Sequence, residues 1–173
     1  MYIELVKYPD VFLRSDSKTV PFPLDEKTKR LIKWMQKAMY QHQGIGLAAI
    51  QVGYQLRMFV MDVNRAGDNP KVFINPEIIK KSTESITDFE GCLSAPGKQG
   101  EVKRYIRITL KYQDEEGEEI VKTFYNLAAR CVQHEMDHLE GKLCIDYEKG
   151  NYSRDKHKSQ TMVESDFRTK SDT

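Results

Sequence analysis

The sequence predicts one α+β domain in which antiparallel β-sheets pack around a C-terminal helix, with a second helix near the N-terminus. Three observations carry this prediction. Residues 25–44, DEKTKRLIKWMQKAMYQHQG, repeat apolar side chains at helical spacing. Between residues 57 and 126 lie four runs rich in β-branched and aromatic residues. Residues 127–141 return to helical periodicity before a glycine. At 173 residues the chain can bury about two-thirds of its unfolded surface, enough for a single core.

Residues 1–24 hold three of the six prolines and little periodicity, so they predict an extended leading segment wrapped on the body. The first helix follows. Acidic residues open it, Leu31, Trp34, Met35 and Ala38 mark its apolar face, and Gly44 closes it. GIGLAAIQVG then places glycines at 44, 46 and 53 around a small apolar run, where backbone can come close to a neighbour.

RMFVMDV, KVFINPEII, YIRITLKYQD and EEIVKTFYN read as strands, and DEEG between the last two reads as a hairpin connection. FEGCLSAPG reads as an irregular segment between strands. Leu127, Cys131, Val132 and Leu139 fit a second helix that Gly141 ends. After Tyr147 the chain turns polar, which predicts one folded domain over residues 1–147 and a solvated tail over 148–173.

The 27 basic and 26 acidic side chains leave a net charge of +1, with no signal for nucleic acid or an anionic membrane. No run approaches the ~18 apolar residues of a membrane span. MYIELVKYPD has no apolar stretch of the signal-peptide kind, and Cys92, Cys131 and Cys144 have no disulfide-framework spacing. Together these features predict a cytoplasmic protein.

The chemistry concentrates in QHEMDHLEGKLC. On a helix His134 and His138 stand ~40° apart and one turn from each other, so both imidazoles can reach one metal ion. Glu135, rotated ~100° from His134, lies beside that face as a general base for metal-assisted hydrolysis. A third ligand must complete the set. Cys144 sits where one class of metallopeptidase carries a third histidine, and Cys131 lies three residues before His134. Cys92 is distant. A thiolate from a separate loop approaches from across a cleft and leaves a coordination position open, so physical reasoning leans toward Cys92 without excluding the others. A non-catalytic, metal-stabilised binding domain is a further reading of the same motif.

Three segments, GIGLAAIQ (44–51), EGCLS (90–94) and QHEMDHL (133–139), resemble in order and separation the signature motifs of peptide deformylases. The resemblance implies a hydrolase that removes the formyl group from the N-terminal formylmethionine of nascent polypeptides, releasing formate. It implies Cys92, His134 and His138 as metal ligands and Glu135 as catalytic acid and base. Gln51 and the backbone N–H of Leu93 would stabilise the oxyanion. The metal would be one divalent ion, Fe2+ in the family, with Zn2+, Ni2+ or Co2+ able to substitute.

Ile45, Leu127 and Cys131 are placed at the methionine pocket, and Gly46 and Gly91 at the peptide backbone. The implied partners are N-formylmethionyl peptides and, by the nature of the substrate, the ribosome. Two features depart from the family pattern. Arg130 stands where many relatives are apolar, predicting a polar pocket rim or a side chain turned to solvent, and residues 95–100 lack an arginine near the peptide backbone, a role for which Lys98 or Arg104 is the candidate substitute.

Overall fold

A computed structural model describes residues 2–149, apart from positions 66 and 68, together with Met162 and Val163. The predicted polar tail otherwise lies outside the described residues.

The leading segment is extended, as expected, with a 3-10 turn at Val11–Arg14. Ile3, Leu5, Leu13, Val20 and Leu24 are all buried, so this strap is part of the core. Backbone bonds fasten it to three parts of the chain: Val6 N–H to Gln51 at 2.8 Å, Tyr8 N–H to Ser94 at 2.7 Å and Ser17 N–H to Leu139 at 2.9 Å.

Helix α1 spans Glu26–Gln41, and the Asp25 side chain caps it by accepting the Thr28 N–H at 2.7 Å. Its buried face is Leu31, Ile32, Met35, Ala38 and Met39. Trp34 corrects the predicted face: it is 37 % exposed, because Ile32 and Met39 complete the apolar stripe without it.

Strands β1 (Gly46–Ala48), β2 (Met58–Met61), β3 (Lys71–Lys81), β6 (Arg107–Gln113) and β7 (Glu119–Tyr125) form an antiparallel sheet in the order β1-β2-β3-β6-β7. The two-residue strand β8 (Met162–Val163) pairs in parallel with Lys80 and Lys81. Strand β2 explains the layering. Met58 and Val60 pack into a cluster with α1 and the strap, while Phe59 and Met61 pack on the opposite face with the C-terminal helix. A strand covered on both faces has no need of polar alternation, which is why MFVM is apolar throughout. The predicted hairpin is present, with the Asp114 carboxylate accepting the Glu116 and Glu118 N–H groups and Gly117 at φ +90°.

Strands β4 (Ser85–Gly91) and β5 (Gln99–Tyr105) form a separate two-stranded sheet, paired from Ser85↔Tyr105 to Gly91↔Gln99. The sequence reading left this pair unassigned. Its alternation is weak, since β4 buries only Glu90 and leaves Ile86 and Phe89 exposed, an inversion of the usual pattern. Helix α2 covers Asn126–Leu139 and ends at Gly141, whose φ of +68° and contact with the Arg14 carbonyl leave no room for a side chain. Among the described residues no helix is long and apolar enough to cross a membrane.

Candidate metal centre and peptide cleft

Helix α2 brings His134 and His138 to one face, and the loop leaving β4 carries Cys92 to meet them. One ligand atom from each of the three lies within 4.8 Å of the others, and Cys92 Sγ stands 3.3 Å from His138 Nε2. An ion held at ~2.3 Å from sulfur and ~2.0–2.1 Å from nitrogen at tetrahedral angles would separate those donors by roughly 3.5 Å. The donor set therefore fits a divalent cation.

Neither local cysteine joins the group. Cys144 is buried beneath β4, its thiol donating to the Glu90 carbonyl at 3.5 Å, and burial pushes its pKa up to about 12. Cys131 faces the Ile45 carbonyl at 3.8 Å, and burial holds its thiol well above the usual range.

The Glu135 carboxyl is buried beside the ligands, and its Oε2 has no hydrogen-bond partner among the described residues. Burial pushes its pKa up to about 7, against the opposing influence of His134. Gly46 makes this approach possible: a Cβ there would strike Glu135 Oε1 and come within 2.8 Å of Cys131 Sγ. Gln51 is buried on the other side. Its Oε1 accepts the Ala48 N–H at 2.9 Å, which turns the NH2 end toward Ser94 Oγ at 3.2 Å and Cys92 Sγ at 3.7 Å. Leu93, next to Cys92, has its carbonyl held by the Lys7 ammonium at 2.8 Å.

Glu90, to which the sequence reading gave no role, organises the surroundings. Its Oε2 receives His134 Nδ1 at 2.9 Å, leaving that ring's Nε2 for the ligand position. Arg104 grips both carboxylate oxygens at 2.8 Å, and Arg130 adds a third cationic contact at 2.7 Å. Arg104 also reaches Asp137 at 2.7 Å, where the Tyr147 hydroxyl donates as well. Burial alone would raise the Glu90 carboxyl, but hydrogen bonds from Arg104 and His134 outweigh it and hold the group well below the usual carboxylate range. The same bond to Glu90 and one to Cys92 overcome burial at His134, raising it to about 10, while burial holds His138 well below 6.5.

Of the two alternatives for Arg130, the solvent-turned one is set aside: the residue lines the cavity and, besides Glu90, donates to the carbonyls of Ile86 on β4 and Val102 on β5. Arg104 is not a peptide-binding arginine, since it is 4 % exposed and committed to two carboxylates. Only spacing-independent signals could have found this hub, because an acid preceding Gly-Cys and two arginines on different elements share no motif.

A cavity of about 600 Å³ opens onto the centre, with Ile45, Gly46, Gly91, Leu93, Leu127, Cys131, His134 and Glu135 in its lining. Leu127, at 53 % exposure, belongs to the cavity mouth and not to the core. Two strand edges border the cleft. The Asp62 N–H binds the Ile45 carbonyl at 2.9 Å, so Ile45 and Leu47 direct their backbone groups to β2, and alternation turns those of Gly46 toward the cleft. On the opposite wall, Gly91 closes β4 with open space above it.

Comparison with known proteins agrees with this geometry. The polypeptide deformylase family model matches residues 2–154. A peptide deformylase of Pseudothermotoga lettingae is 50% identical over 137 residues, covering 79% of this chain and 77% of that protein. One from Bartonella henselae is 46% identical over 145 residues, covering 83% and 82%. Crystal structures of the peptide deformylases from Legionella pneumophila and Thermotoga maritima superpose with TM-scores of 0.81 and 0.79, at 37% and 41% identity; they cover 85% of this chain in each case, and 86% and 97% of their own. A family model that spans residues 2–154 and relatives at 50% and 46% identity over most of both chains leave a single conclusion: the chain belongs to the peptide deformylase family.

Proposed function

We propose that this chain removes the formyl group from N-terminal formylmethionine of nascent polypeptides, with residues 1–147 as the catalytic unit. The supporting observation is an unpartnered buried carboxylate, Glu135, set between a Cys-His-His cradle and the free edge of β1. Cys92, His134 and His138 would hold one divalent ion, Fe2+ by family likeness, which when bound lowers the pKa of water and polarises a carbonyl.

The remaining steps belong to the chain. Glu135 takes a proton from water, and the hydroxide adds to the formyl carbon. The carbonyl π electrons move onto oxygen, where the Gln51 amide, aimed by Ala48, and the Leu93 N–H donate hydrogen bonds, each well-placed donor contributing ~2.7–4 kcal/mol. The C–N bond then breaks toward nitrogen, and Glu135 gives its proton to the departing amine. The substrate is held as an added strand along Gly46 and Gly91, with its methionine side chain against Ile45, Leu127 and Cys131. A cytoplasmic site of action near the ribosome follows from the substrate.

The test is formate release from formyl-Met-Ala by metal-loaded protein. Wild type turns over, and Glu135→Ala loses nearly all turnover while keeping its metal. Full activity in Glu135→Ala, or metal retention in Cys92→Ala equal to wild type, would overturn the roles assigned.

A further inference from the structure

The cleft has a direction and a charge. Gly46 lies against Glu135, so the reacting end of the substrate sits there. Beyond Gly46 toward Leu47 the strand is fully buried, whereas Ile45, Gly44 and Gln43 all line the cavity. The peptide therefore leaves the centre from Gly46, where β1 begins, past Ile45 and Gly44 toward Gln43 in the turn that follows α1, antiparallel to the chain there. An extended substrate, advancing ~3.4 Å per residue, brings its third and fourth residues to the end of the cavity that Gln43 lines.

At that point the guanidinium of Arg65 donates to the Gln43 carbonyl, and among the described residues its other N–H groups have no further hydrogen-bond partner. Across the cleft, Lys98 follows Gly97 in the turn joining β4 to β5. Both side chains are exposed. The acids in the lining, Glu90 and Glu135, are both buried, and Glu90 is saturated by Arg104, Arg130 and His134. Among the described residues, every exposed charge of the lining is thus positive.

We infer that Arg65 and Lys98 make this cleft select formylated chains with an acidic side chain at residue three or four. The inference deepens the deformylase reading and rests on it. A carboxylate there meets a cation on each wall, and a lysine there meets repulsion from both.

The test uses C-terminally amidated formyl-Met-Ala-Xaa-Ala and formyl-Met-Ala-Ala-Xaa peptides with Xaa as Asp, Ala or Lys, so that only the side chain carries the charge. At low ionic strength kcat/KM should rank Asp over Ala over Lys, with about a five- to tenfold span, carried in KM and shrinking as salt is added. In the Arg65→Glu, Lys98→Glu double variant the ranking should invert. Because the readout is a ratio within one protein, a general drop in rate does not obscure it. Equal values for Asp and Lys, or a ranking unchanged in the double variant, would overturn the inference while formyl-Met-Ala turnover kept the deformylase reading intact. No formate from any peptide would overturn both.

Discussion

At the scale of single residues, placement depends on what a neighbour lacks. Gly46 has no Cβ, and Glu135 occupies the space one would fill. Gly46→Ala should therefore keep the fold and the metal yet lose roughly 100-fold in kcat/KM, since a displacement near 1 Å of a catalytic group costs about that much. Formate release beside a metal assay checks this, and an active Gly46→Ala enzyme would show that Glu135 tolerates displacement. His134, His138 and Glu135 were legible in the sequence because helical spacing alone sets the two histidines on one face and the glutamate beside it. Cys92 was legible only as the best of three candidates, since a contact between residues 46 apart in sequence has no periodic signature. Leu127 was legible as a pocket residue for the wrong reason: its helical phase suggested burial, whereas it stands at the open mouth.

Between elements, the centre depends on how α2 is clamped to the β4–β5 pair. Arg130 spans that junction, holding Glu90, Ile86 and Val102 at once. Arg130→Leu should weaken metal affinity about tenfold, as loss of an outer partner of a ligating group commonly does. Chelator competition measures it. Unchanged affinity with a lowered Tm would mean that Arg130 staples the elements without orienting His134. Both helices, four strands of the larger sheet and its hairpin were readable from period and turn chemistry, whereas β1 was read only as a small apolar run between glycines. The β4–β5 pair was not, because β4 buries only a glutamate and leaves phenylalanine and isoleucine exposed, while β5 buries an arginine beside Val102. A strand whose interior partner is a cluster of arginines reverses the hydrophobic pattern on which strand recognition relies.

For the whole molecule, the buried ionic cluster links stability to acid. The folded-state pKa of Glu90 is depressed below its ordinary 4.5, so its stabilisation is complete above that value and drains away as pH falls below it. Tm should be flat above pH ~5.5 and fall below ~4.5, and Glu90→Gln should start from a lower Tm and show a shallower acid fall. Calorimetry across pH 3–7 decides, and parallel acid limbs in the two proteins would assign the dependence to other carboxylates. The strap adds a consequence for assembly. It binds Gln51 and Ser94 through Val6 and Tyr8, and Leu139 through Ser17, so the strap closes onto the helix that carries His134 and His138 from far away in the chain. Closing so long a loop comes late in folding. The cradle is consequently a product of the finished chain: metal waits for the polypeptide, and a nascent copy of this enzyme stays catalytically silent until its C-terminal helix has left the ribosome.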